Sequence, residues 1–314
     1  MTNTTIITQI IYAFIAQTLR SCTPIDSGHI NDSFLAETEQ GKFVCQRLSH
    51  TRYTAEQLQM LEQNYRLYTA ACEHSSADWQ YPQWLQTGSG EYLYEDEAGD
   101  HWRMYPYIAG EAKSGDMTSE EITACGEGLA RLHLLLSAFP AKPQAVYPHL
   151  YDLEYHYKEY LKQAISNTRR IPELDKAVTQ KIQGFLHLSY RRNSVIHGDA
   201  KVGNMLFSER RVIAWIDLDT LMPGSRLEDM ADCIRSCCQG SLSESAVIEA
   251  FLQGYLHIDS HLLTEEEIAL LPQILQKIRF TLGLRYYTDH LAGNLYFHEQ
   301  YPGQSLEKAN RLLL

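Results

Sequence analysis

No apolar run of roughly eighteen residues, the least that spans a bilayer, occurs in this 314-residue sequence. A membrane-spanning helix is therefore not expected. Basic charge is also short: 27 Lys and Arg stand against 39 Asp and Glu, a formal net charge of -12. Binding along the phosphate backbone of nucleic acid needs the opposite sign, so a nucleic-acid partner is not expected. Cysteine pairing signals are missing as well. The seven cysteines are scattered and odd in number, and the cluster Cys233, Cys237, Cys238 lacks the CxxC spacing of a zinc or redox site. Reduced thiols in the cytoplasm are the expectation. Repeats and low-complexity segments are absent too. With 44% hydrophobic and 21% charged residues, the chain is neither disordered, collagen-like nor coiled-coil. Its length suggests one large two-lobed domain or two modest ones.

The N-terminal stretch has no Lys or Arg ahead of its apolar residues and no small-residue cleavage site after them, so it is a poor signal peptide. Ile6, Ile7, Ile10, Ile11, Phe14 and Leu19 instead mark one face of an amphipathic helix. Strands are expected over 33–37 and 42–48, a helix over 54–72, and a hairpin over 91–94 and 101–107 with an acidic turn at 96–100. Beyond Gly110 long helical patterns follow at 119–138, 153–166 and 172–188, interrupted by one β-rich island, 194–219. The expected architecture is α+β: a β-rich lobe over 1–108 and a larger, mostly helical lobe over 109–314. Residues 91–121 carry nine Asp or Glu against Arg103 and Lys113. A solvated turn and a helix N-terminus explain them; a negative rim beside a substrate cleft is the sharper reading.

The chemistry is concentrated in the island. An apolar strand leads into a loop carrying His197, Asp199, Lys201 and Asn204, and a later apolar strand ends in Asp217 and Asp219. A hairpin-like layout would bring these polar groups to one mouth. Phosphoryl transfer from ATP requires Mg²⁺ on hard oxygen ligands, cationic neutralisation of phosphate oxygens, and a carboxylate for the attacking hydroxyl. Asp199 suits the carboxylate, Lys201 the cation, and Asn204 and Asp217, with Asp219 beside them, the metal oxygens. The spacing H-x-D-x-K-x-x-N is that of the protein-kinase catalytic loop. A lone His-x-Asp would carry little weight; the joint pattern is much rarer.

HGDAKVGN followed by IDLD resembles the aminoglycoside phosphotransferase and choline kinase superfamily, which has a protein-kinase-like, two-lobed fold. Three further segments resemble one branch, the bacterial N-acetylhexosamine 1-kinases. These are Asp217–Gly224 with Asp229 and 231–235, Ser27–Phe34 near the start, and Gly283–Leu291 with 294–297 near the end. The likeness runs from about residue 25 to about residue 311 and departs at Gly198, where that branch often has Asn.

The resemblance implies further roles. A turn holding Gly28, His29 and Asn31 would cover the nucleotide phosphates, with His29 also near the substrate. Arg47, on the strand where kinases carry a lysine, would bind phosphate with Glu62 as its anchor. Tyr105 and Tyr107 would lie in the connector that meets adenine. Asp229 and Asp232 would brace the catalytic loop or cap a helix, with Arg235 as ion partner. Arg285, Tyr286 and Asp289, together with Asp199, would line the substrate pocket. The implied enzyme is an ATP- and Mg²⁺-dependent kinase acting on a small-molecule hydroxyl, first of all the anomeric oxygen of an N-acetylhexosamine. The alternatives are an aminoglycoside or amino alcohol acceptor, a silent pseudokinase, and a metal-dependent hydrolase. No obligate protein partner is evident.

Overall fold

The computed structural model describes residues 3–25, 31–73, 79–297 and 299–314. Along the chain come α1 (Asn3–Ile15), β1 (Ser21–Ile25), β2 (Asp32–Glu37), β3 (Lys42–Leu48), α2 (Ala55–Glu73), β4 (Tyr94–Glu95), β5 (His101–Pro106) and β6 (Glu111–Ala112). They are followed by α3 (Ser119–Ser137), α4 (Leu153–Ala164), α5 (Pro172–Leu186), β7 (Ser194–Ile196), β8 (Met205–Ser208) and β9 (Arg211–Trp215). The chain ends with β10 (Met222–Gly224), α6 (Arg226–Cys237), α7 (Glu244–Ile258), α8 (Glu265–Ala292) and α9 (Gln304–Leu313). The fold class is α+β. Two compact units form: residues 1–113, 139–143 and 203–219 make the first; residues 114–138, 144–202 and 220–314 make the second.

In the first unit, β1 to β5 build an antiparallel sheet in the order β1-β2-β3-β5-β4. Strand alternation gives it two distinct faces. Phe34, Ala36, Phe43, Cys45, Trp102 and Met104 lie on one, packed with Ile7, Ile10, Ile11 and Phe14 of α1. The positions 7, 10, 11 and 14 are one helical stripe, and each such burial stabilises by about 1.5–3 kcal/mol. The register Val44↔Tyr105 and Gln46↔Arg103 sets those four side chains on the other face. A second sheet, β6-β8-β9, brings residues 203–219 into this unit. The strands at the two ends of the island are thus not hairpin partners. β8 pairs with β9, whereas β7 pairs with β10 in the second unit.

The second unit is helical apart from that β7–β10 pair. Thr118, Ser225 and Thr264 each begin a helix with a glutamate three residues on, and all three close reciprocal capping boxes. Helices α3 and α7 touch backbone to backbone. A Cβ on Gly126 would lie 2.1 Å from the Phe251 carbonyl oxygen, and one on Gly254 2.0 Å from that of Thr123. α4, α5, α8 and α9 share a core built on Leu153, Leu174, Val178, Phe280, Leu284 and Leu313. Cys125 of α3 meets Cys233 and Cys237 of α6 with all three sulfurs within 4.8 Å of one another, packed as small apolar groups. Among the described residues no helix is long and apolar enough to cross a membrane.

Candidate active site

The loop after β7 is held by α6. Asp229 is fully buried, and its carboxylate accepts the backbone N–H of His197 at 2.7 Å and of Gly198 at 2.9 Å. Ser236, two turns further along α6, accepts the Val202 N–H at 2.9 Å. The buried His133 completes the brace, with Nε2 at 3.1 Å from Asp229 and Nδ1 at 2.7 Å from the Tyr255 hydroxyl. Because the carboxylate only accepts, Nε2 carries the proton and Nδ1 accepts from the phenol. Burial shifts His133 downward against the pull of Asp229, which keeps it neutral. Helix α6 itself is capped by Ser225 and Glu228, leaving Asp229 for the loop. Asp232 pairs with Arg235 at 2.7 Å, and burial raises its carboxyl despite that partner.

Within this frame Asp199 and Lys201 form an ion pair, Nζ to Oδ2 at 2.7 Å, with both side chains partly open to solvent. Gly198 has φ +85°, and a Cβ there would stand 2.3 Å from the Thr220 carbonyl oxygen. A side chain is thus excluded twice over, which accounts for glycine in this chain at the position where the N-acetylhexosamine branch often has Asn.

The carboxylates at the end of β9 divide by role. Asp217 adopts φ 61°, a left-handed conformation that Asp tolerates better than most residues. Asn204 is buried, and its backbone carbonyl accepts the Ile216 N–H at 2.9 Å, which ties the start of β8 to the end of β9.

Asp219 is held by side chains of the first unit. Arg103 of β5 grips it in a fork, Nη1 to Oδ1 at 2.5 Å and Nη2 to Oδ2 at 3.0 Å. Asn31 donates to Oδ2 at 2.9 Å, and the Tyr53 hydroxyl donates to Asn31 Oδ1 at 3.0 Å. Both Asp219 oxygens are thus engaged by donors of the protein itself, and Asn31 is one of those donors. Arg103 also donates through Nε to Gln46 at 2.9 Å and lies 4.7 Å over the Trp84 ring. Burial draws its guanidinium down, but Asp219 outweighs that and the net shift is upward.

Arg47 is placed by the pairing of β3 with β5. It lies opposite Trp102 in the register, on the α1 face, while Gln46 shares the face of Arg103 and Tyr105. Its partners are Asp32 and Asp100, the latter at 3.5 Å. Glu62 pairs instead with Arg66 one turn along α2, at 2.6 Å. Tyr105 is buried within the field of Arg103, Asp217 and Asp219, and burial raises its phenol. The Tyr107 side chain is exposed and its N–H donates to the Lys42 carbonyl at 2.9 Å. Gly28 and His29 lie outside the described residues.

Of the three expected substrate contacts on α8, Asp289 is engaged by the backbone. Its carboxylate accepts the N–H groups of Leu295, Tyr296 and Phe297 at 2.8–3.0 Å, so it folds the turn after α8. Arg285 lies over the rings of Tyr296 and Phe297, at 5.9 and 5.6 Å. Tyr286 packs on Phe297, ring centroids 4.2 Å apart. Burial raises its phenol, while Arg235, Arg285, Lys201 and Arg311 pull it the other way.

His156 of α4 belongs to the same neighbourhood. Burial first, and Arg285 second, push its imidazole down to about 4 from an ordinary value of 6.5. The unfolded chain therefore binds the extra proton first. Stability conferred by neutral His156 is complete above pH 6.5 and is lost as pH falls toward 4, by up to about 3 kcal/mol. Melting curves between neutral pH and pH 4.5 should show a steep acid limb that His156→Gln flattens. An identical limb in the variant would assign the acid loss to other groups.

The model of the phosphotransferase enzyme family matches residues 21–269. The chain belongs to that family. It is an ATP-dependent small-molecule kinase with a protein-kinase-like fold. Among solved structures, amicoumacin kinase in complex with AMP-PNP and Ca²⁺ is similar at a TM-score of 0.70 and 14% identity, over 99% of this chain and 92% of its own. A microcompartment-associated aminopropanol kinase gives 0.65 and 14%, over 98% and 94%. The macrolide 2'-phosphotransferase of Brachybacterium faecium gives 0.62 and 14%, over 98% and 97%. At such identities the likeness carries the fold alone.

Within each unit, residues that spacing did not single out hold the segments described above. Arg103, His133, Ser236 and Tyr255 each act through a partner far along the chain, for instance 116 residues from Arg103 to Asp219 and 122 from His133 to Tyr255. Arg103 did leave one trace, a charge inside the otherwise apolar and aromatic strand β5.

Proposed function

We propose that this phosphotransferase moves the γ-phosphoryl group of ATP to a hydroxyl of a small polyhydroxylated acceptor, with the anomeric oxygen of an N-acetylhexosamine as the first candidate. The observation that carries the reading is the loop from His197 to Val202, whose backbone is pinned at three amides by Asp229 and Ser236 beside the Asp199–Lys201 pair. A carboxylate so placed can accept the proton of the attacking hydroxyl. Lys201 then supplies positive charge for the phosphoryl oxygens as the proton moves.

Asn204 and Asp217 would hold Mg²⁺. An amide oxygen and a carboxylate are the hard donors that ion prefers, the remaining positions going to water and phosphate. When bound, the metal neutralises charge on the phosphate oxygens. Asp219 does not enter this set, since Arg103 occupies it.

The sugar reading rests on the resemblance of 217–235 and 283–297 and on the cations around Tyr286. Arg235, Arg285 and Arg311 oppose an ammonium group there. A second reading, an amino alcohol or aminoglycoside acceptor, draws on the names of the structural neighbours. ATP consumption should be measured with Mg²⁺ and N-acetylglucosamine, N-acetylgalactosamine, hexoses, choline, homoserine or an aminoglycoside. Turnover of an acetylated sugar to an acid-labile phosphate is the expected result. An acid-stable sugar phosphate removes the anomeric assignment, turnover of amines alone favours the second reading, and no turnover of any acceptor overturns both.

A further inference from the structure

Two buried polar atoms at one loop–helix junction have no hydrogen-bond partner: the Tyr151 hydroxyl and Nε2 of His156. Tyr151 directly precedes Asp152, the N-cap of α4, and His156 follows in the first turns of that helix. Buried polar atoms are nearly always satisfied, so two orphans five residues apart call for a ligand that satisfies them.

The surroundings say what that ligand offers. The Tyr151 phenol is pushed up by burial and then by Asp232, Asp229, Asp199 and Glu228, so it keeps its proton and remains a donor. It thus lies in the field of the expected base, Asp199. His156 is held neutral by burial and by Arg285, against the pull of the backbone carbonyls of His149 and Leu150. A carbonyl takes the ring's N–H, which leaves Nε2 as a bare acceptor. The ligand must therefore accept a hydrogen bond near Asp199 and donate one near Arg285. An ammonium would meet the Arg285 charge at the second position; a neutral hydroxyl would not.

We propose that Tyr151 and His156 are specificity-determining residues for a neutral, polyhydroxylated phosphoryl acceptor. Tyr151 donates to an oxygen close to the reacting hydroxyl, and His156 Nε2 accepts from a second hydroxyl of the same molecule. This assignment rests on the phosphotransfer reading and adds to it the residues that choose the acceptor.

The test is steady-state kinetics with ATP and Mg²⁺ over the same set of acceptors, for the wild type, Tyr151→Phe, His156→Phe and His156→Gln. Tyr151→Phe should raise KM for the preferred acceptor about tenfold, as the loss of one good hydrogen bond does, with KM for ATP unchanged. His156→Phe should act in the same direction, and His156→Gln, which keeps an acceptor, should recover part of the loss. If His156→Phe misfolds, the Tyr151→Phe and His156→Gln kinetics still decide. Unchanged acceptor KM in Tyr151→Phe, particularly with a raised Tm, would mark an internal orphan and overturn the proposal while leaving the kinase reading intact. A wild type that phosphorylates only amines overturns the neutral class. One that phosphorylates nothing removes the reading beneath it.

Discussion

Asp219→Ala should destabilise the protein by about 3–5 kcal/mol, because it strands the buried Arg103 guanidinium without its counter-charge. Arg103 and Asp219 are both almost wholly inaccessible to solvent, with side-chain exposures of 3% and 4%. Removing one partner therefore exposes the full desolvation cost of the other. Thermal melts should show Tm falling by roughly 5–10 °C. The paired variant Arg103→Met/Asp219→Leu should recover most of the loss, since a buried ion pair exchanged for apolar groups of similar volume is often neutral or better. Mg²⁺ affinity for nucleotide should change far less than stability. A variant of normal stability that loses Mg²⁺ dependence would restore Asp219 to the metal set.

The two carboxylates of IDLD show where sequence reading reaches its limit. Spacing identified the chemistry of the segment, but a carboxylate's role depends on which cation reaches it. The cation here comes from β5, 116 residues away. Asp289 repeats the lesson: as a residue type it suits a polar pocket, yet three backbone amides within eight residues claim it. For Arg47 the limit is of another kind. Strand period two assigns it to the face of Cys45 and α1, and the sequence does not say which face carries the chemistry. The α1 stripe, β2, β3 and the long helices were legible because each is a local pattern whose burial matches its period. The strands β6 and β10, two and three residues long, have no period to read and exist through pairing with distant partners.

Asp199→Asn should lower kcat by about 10²–10⁴-fold, the usual contribution of a positioned general base, equivalent to about 3–5 kcal/mol of barrier. The substitution keeps the shape and a hydrogen-bonding side chain beside Lys201, so KM for ATP and Tm should stay close to wild type. Stability is not expected to depend on it, because the loop backbone is fixed by Asp229 and Ser236 and not by Asp199. Lys201 would lose its 2.7 Å ion pair, but both side chains are partly solvated, where such a pair contributes little. A fall in kcat accompanied by a comparable fall in Tm would instead point to a structural role. Wild-type kcat in a properly folded Asp199→Asn enzyme would remove Asp199 as the base, and with it the proton-transfer step of the proposed reaction.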